Sequence, residues 1–181
     1  MPFLDDTPDI SEGVRTFFDK STVALVLADD RREDCPLVGV NDGFLGLSGY
    51  DADEVLGRNC RFMQPEGGAG PVRDRMRAFI AEPDRINDKF VVPNVRRSGE
   101  RFLSLVYMTK LSRDGRKSLI LGSQFDITRS NPTAARAYDD ALSRDLRRLS
   151  ELFGETNFVL LGTYESLASS QSLIVQARLD G

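Results

Sequence analysis

Apolar positions run through this chain in two rhythms, one helical and one alternating or continuous. Ile10, Val14, Phe17 and Phe18 recur at helical spacing, with Asp9 or Ser11 as cap, and predict a short amphipathic helix over 10–19. Thr22 to Ala28 is apolar and β-branched, the signature of a buried strand, and Leu37 to Asn41 reads as a second. The polar run Asp29 to Asp34 between them is a turn. Helical stretches follow at Asn41 to Ser48, at Asp51 to Leu56 with Asp51 as cap, and at Val72 to Glu82. In the last of these Val72, Met76, Phe79 and Ile80 share one side. A flexible loop, Glu66 to Pro71, precedes it. Three strands are then expected at Lys89–Val95, Arg101–Leu111 and Lys117–Ile127, joined by turns that carry Gly99 and Gly115. Two strands, short helices and three more strands make an α+β layout, a five-stranded antiparallel sheet with short helices on one face.

Asn131-Pro132 marks a boundary. Beyond it Tyr138, Leu142, Leu146, Leu149 and Phe153 predict an amphipathic helix to about Leu152, and a second is expected over 164–179 with Leu167, Ile174 and Val175 on its apolar side. The expected division is an N-terminal segment with a cap helix (1–20), a core (21–130) and a C-terminal helical extension (131–181).

Composition narrows the function. The 181 residues are 40% hydrophobic, enough for a packed core, and the net charge of −4 argues against a broad nucleic-acid surface. Gly154 could sit in a helix-turn-helix, but acidic residues outnumber basic ones in that extension, so no nucleic-acid partner is expected. There is no His, which removes the commonest general base and zinc ligand and excludes Ser-His-Asp and Cys-His hydrolases on this chain. The two cysteines, Cys35 and Cys60, have no metal-ligand spacing, and no metal site is expected. The start lacks a signal-peptide core and no apolar run spans a bilayer, so the expectation is a cytoplasmic protein without a membrane partner. Gly67, Gly68 and Gly70 fit neither a P-loop nor a dinucleotide fingerprint.

The segment with chemistry is Gly57-Arg58-Asn59-Cys60-Arg61-Phe62-Met63-Gln64. A thiol flanked by Arg58 and Arg61 is expected to be pushed toward thiolate. Arginine forks suit an anionic ligand such as phosphate, and the amides of Asn59 and Gln64 suit the edge of a heterocycle. A lone cysteine is ordinarily a small buried hydrophobe, which is the reading for Cys35.

This segment closely resembles the GRNCRFLQ signature of LOV domains, the flavin-binding blue-light receptors of the PAS superfamily; Met63 replaces Leu. The resemblance covers about residues 20–130 and implies the PAS/LOV fold. It implies that Cys60 is the photoactive thiol that adds to flavin C4a after excitation, and that Asn59 and Gln64 contact the ring. It gives Arg61, and Arg77 thirteen residues beyond Gln64, to a terminal phosphate, which favours FMN over FAD. Asn94 falls on the ring's polar edge, Ser104 replaces a second Asn, and Gln124 bonds N5 and O4 and reorients on adduct formation. Met76 and Ile80 are further expected cofactor contacts. Other departures are Cys35 for Asn, Val106 and Ile120 for Phe, and Arg73 near a usually apolar ring contact that Val72 could fill. With Met63 beside the thiol, these are expected to tune the adduct lifetime.

The implied function is a short-type blue-light photoreceptor, not an enzyme, because adduct cleavage returns the starting flavin. Output would pass through the Gln124 hydrogen-bond change to the terminal helices, whose apolar stripes suggest a homodimer, and on to an unknown protein partner. Alternatives are a flavin-based redox or oxygen sensor, or a ligand-free PAS interaction module.

Overall fold

A computed structural model describes residues 3, 10–113, 116–154, 158–160, 173–175 and 177. Helix α1 (Glu12–Lys20) starts at Ser11, whose hydroxyl accepts from the Val14 amide at 3.2 Å. Strands β1 (Ala24–Asp29) and β2 (Leu37–Val40) follow. Next come α2 (Asp42–Ser48), α3 (Ala52–Val55), one 3-10 turn (Cys60–Met63) and α4 (Pro71–Ala81). Strands β3 (Asn87–Val95), β4 (Arg101–Arg113) and β5 (Arg116–Asp126) lead into α5 (Pro132–Gly154) and a short strand β6 (Phe158–Leu160).

The sheet is antiparallel in the order β2-β1-β5-β4-β3. It is the expected five-stranded sheet, and β6 extends it by pairing with Leu111–Arg113 of β4. That strand is absent from the sequence reading because three residues are too few to show a period. The helix expected over 164–179 lies largely outside the described residues, of which 173–175 and 177 are helical.

Strand alternation divides the core. Along β1, Leu25 and Leu27 face α1 and α5, whereas Ala24, Val26 and Ala28 face α2 and α3. Every β1 residue is buried because both faces of the sheet are covered. A buried amide fixes the entry to the helical layer. Asn41 accepts from the Leu25 and Phe44 amides at 2.8 and 3.0 Å and donates to the Val23 carbonyl at 2.8 Å. It caps α2 while tying it to β1.

One expectation needs correcting. The α5 stripe Ala135, Tyr138, Leu142, Leu146, Leu149, Leu152 and Phe153 is buried against α1 and the chain's own sheet. It is therefore core, and it does not offer a free face to a second subunit. An amphipathic period shows that a helix buries one side, not against what.

Candidate functional site

The second face of the sheet, under α2 to α4, holds a cavity. Its empty space, counted together with open solvent, is about 710 Å³. Val26 and Ala28 of β1, Val92 of β3, Val106 of β4 and Ile120 of β5 make an apolar floor. Met76 and Ile80 of α4 close one side, and Asn59, Cys60, Arg61 and Gln64 of the 3-10 turn close another. Gly122 of β5 keeps the floor low. A Cβ there would come 2.8 Å from Val26 Cγ2, so a side chain would press into the floor.

The 3-10 turn is held from both ends of one amide. Asn59 Oδ1 accepts from the Arg61 N–H at 3.0 Å, and Nδ2 donates to the carbonyls of Asp34 at 2.6 Å and Cys35 at 3.5 Å. Asp34 and Cys35 both have positive φ, 67° and 47°, which is strained for residues with a Cβ. The Asn59 bonds and an Arg61–Asp34 ion pair hold that turn against the cavity wall. Asn59 thus stiffens the wall on which Cys60 sits.

Cys60 Sγ accepts a hydrogen bond from Gln124 Nε2 at 3.3 Å. Gln124 Oε1 accepts from Asn94 Nδ2 at 3.4 Å and from Ser104 Oγ at 3.2 Å. Three strands therefore converge on one amide, and that amide touches the thiol. Burial pushes the Cys60 thiol up to about 12, and the Gln124 bond offsets only part of this. Cys35, also on the cavity wall, is likewise pushed up to about 12 by burial and then by Asp30, Asp29 and Asp34. The expected thiolate is overturned at Cys60. Arg61 is turned to Asp34, and Arg58 lies over the Phe62 ring while donating to the Glu54 carbonyl. Neither appears among the groups that shift the thiol.

The structure brings Asn59, Cys60, Arg61, Gln64, Met76, Ile80, Asn94 and Gln124 to this one cavity. Ser104 stands behind it as a partner of Gln124. Arg77 is not on the wall; its side chain is 66% exposed and pairs with Asp74 at 3.4 Å. Met63 is buried among Val55, Phe44 and Leu37 and does not line the cavity. Val72 packs beside Phe79 and Phe90, and Arg73 is exposed; neither is among the residues that line the cavity. Met108 and Gly122 were missed; the signal available was their alternation with Tyr107 and Leu121, which face the opposite core.

A flat tricyclic ring with one polar edge suits these walls. The apolar floor and the Met76–Ile80 side would take its faces, and the Asn94 and Gln124 amides its edge. Among the described residues no group of three or more His, Cys, Asp or Glu side chains is placed to hold a metal ion. No described helix is long and apolar enough to cross a membrane.

Comparison with known proteins agrees with this architecture. A PAS domain model matches residues 23–129. The blue-light-activated histidine kinase of Rhizobium johnstonii is 37% identical over 112 residues, 61% of this chain and 32% of that protein. The chain spans about a third or less of the curated relatives it matches. The RsLOV d2 variant is 34% identical with a TM-score of 0.70, over 80% of this chain and 84% of that one. The LOV protein of Rhodobacter sphaeroides is 29% identical with a TM-score of 0.76, over 94% and 96%. The chain belongs to the PAS domain family, and within it to the LOV proteins, whose domains bind flavin.

Proposed function

We propose that this protein is a blue-light photoreceptor that uses FMN and the thiol of Cys60. One contact carries the reading: the Cys60 thiol and the Gln124 amide meet at 3.3 Å inside a LOV-type cavity. Bound flavin would supply the blue-light absorption and, once excited, a ring carbon open to a thiol sulfur and a ring nitrogen able to take the thiol proton. The chain's residues do the rest. Burial keeps Cys60 protonated, so it holds both the sulfur and the proton. Asn94 and Gln124 orient the polar edge, and Met76 and Ile80 exclude water from the ring. Asn59, Gln64 and Arg61 border the remaining wall, and Arg61 would serve the phosphate; Arg77, off the wall and paired with Asp74, would join it only by turning from that carboxylate.

Gln124 is the group that feels a change at the thiol. On β5 its neighbours Ser123 and Phe125 point to the opposite face, and both meet Tyr138 of α5. Reorientation of the Gln124 amide would strain β5 there and alter the seat of α5. Residues 21–130 act as the sensor core and 131–181 as its output extension. The homodimer, if it carries output, uses surfaces other than the α5 stripe. Sizing in the dark and under blue light tests that part, and identical monomers in both states remove it.

Replacing Cys60 with Ala tests the main reading. The expected variant is yellow but no longer bleaches reversibly under blue light. Unchanged bleaching would sink the thiol mechanism and favour a redox-type flavin sensor, and colourless wild-type protein would favour a ligand-free module.

A further inference from the structure

Lys110 of β4 carries its side chain into the core. It is 1% exposed, and an ammonium taken out of water costs stability unless its donors find acceptors. It finds them at the end of α4. Nζ donates to the carbonyls of Phe79 and Glu82, the latter at 2.6 Å, and stands 4.5 Å from the centroid of the Phe79 ring. The last carbonyls of a helix have no partner inside it and gather partial negative charge. α4 has no basic residue in its own last turn, and the chain leaves it through Pro83, which has no N–H to turn back. A strand residue thus does for α4 what a glycine turn does for other helices. Unlike such a turn, this cap ties the helix to the sheet.

The tie stands beside the cavity. Val106, Met108 and Lys110 alternate onto one face of β4, and the first two line the cavity. Across the ladder Lys110 pairs with Ile120, another floor residue. On α4, Ile80 directly follows Phe79 and lines the cavity with Met76. Gln124 pairs with Val106, so Lys110 stands toward the end away from the contact between Cys60 and Gln124. One ammonium therefore joins the floor to the α4 wall at the apolar end of the site. A methionine would fill a similar length at a lower desolvation cost, so packing alone does not call for the charge.

We propose that Lys110 is a positioning residue that holds the Met76–Ile80 wall of α4 against the β4 floor and so sets how tightly the flavin ring is gripped. The inference rests on the flavin reading above and deepens it. Lys110 acts on the ring through α4 and takes no part in recognising the phosphate, so its effect is the same for FMN and for riboflavin.

Flavin-depleted full-length protein, titrated in the dark with FMN and with riboflavin and followed by flavin fluorescence, tests this. Lys110→Met is expected to weaken the binding of both flavins by a similar factor, roughly tenfold, mainly through faster release. Lys110→Gln, which keeps a donor but loses the charge and some reach, should fall between. Amide exchange over 80–82 should quicken in both flavin-free variants. Leu142→Ala, in the core on the opposite face of the sheet, is the control: the folded protein should be destabilised yet keep wild-type flavin affinity. Wild-type affinity or unchanged exchange in Lys110→Met overturns the proposal. So does an equal loss of affinity in Leu142→Ala, which would mean general destabilisation, and so does a loss confined to FMN, which would put Lys110 at the phosphate. If Lys110→Met does not fold, Lys110→Gln decides, and wild-type affinity in it overturns the proposal. A wild type that binds neither flavin removes the flavin reading, and the proposal with it.

Discussion

Replacing Tyr138 with Phe isolates the contact between the sensor sheet and the C-terminal helix. Tyr138 is 6% exposed, and its hydroxyl lies 3.0 Å from Ser123 Oγ in the buried layer between β5 and α5. Its ring stacks on Phe125 with centroids 4.6 Å apart and planes 11° from parallel. Phe keeps the stacking and removes only the hydroxyl, so Ser123 Oγ loses that partner away from water. That should cost about 1–3 kcal/mol in unfolding free energy, and Ser123→Ala should cost a similar amount because it strands the Tyr138 hydroxyl. The double variant removes both polar groups and should cost less than the two singles together, by about 1 kcal/mol. Urea unfolding in the dark, with equal m-values for the four proteins, measures this cycle. Strict additivity would show that the hydroxyls do not sense each other, leaving the Ser21–Asp145 hydrogen bond and the Lys89–Asp139 ion pair as the polar ties of α5 named by the structure. The same variant should shrink any light-induced loss of amide protection in α5.

Three further outcomes follow from the cavity and its polar groups. Gly122→Leu should abolish flavin loading while the apo-protein still folds, read as the ratio of flavin to protein absorbance; normal loading would remove Gly122 from the ring site. Gln124→Leu should leave the bleaching intact but uncouple it from changes in α5, measured by light-dark hydrogen exchange; an unchanged exchange difference would exclude the amide as the relay. The Cys60 thiol is raised from 9.0 to about 12, so its contribution is fully present below pH 9.0 and is lost as pH rises toward 12. Cys60→Ser should therefore flatten the alkaline fall in stability by at most about 1.4 kcal/mol per pH unit, and an identical slope would mean the thiol is not buried.

Much of the sheet was legible because its strands announce themselves twice, by apolar runs and by glycine turns. The site was legible mainly through one contiguous segment around Cys60, with Asn94 and Gln124 at matching distances. What escaped were properties set by direction. The arginines beside Cys60 suggested a thiolate, but neighbours in sequence need not be neighbours in charge. Arg58 and Arg61 point to Phe62 and Asp34, and burial decides the thiol's state. The α5 stripe looked like an open interface because periodicity does not reveal that the chain's own sheet covers it. Strand β6 escaped because pairing with β4, not its own pattern, defines it.

The protonated thiol also narrows the chemistry this cavity can support in the dark. Its titratable wall residues are Cys35, Cys60 and Arg61; the first two stay neutral near pH 7, and the third is tied to Asp34. No wall residue can take a proton from Cys60, since Gln124 is an amide and acts as donor to the sulfur. A general-base route to a thiolate nucleophile is therefore closed, and the thiol should be slow toward ordinary electrophiles at neutral pH. A bound partner that becomes basic only on excitation would lift this restriction at the moment light arrives. Burial that makes Cys60 a poor enzyme nucleophile thus suits it to a light-gated one. Iodoacetamide should accordingly label Cys60 in the flavin-depleted protein only well above pH 9. Fast labelling at pH 7 would mean that the thiol is ionised in the dark and that this account of its silence is wrong.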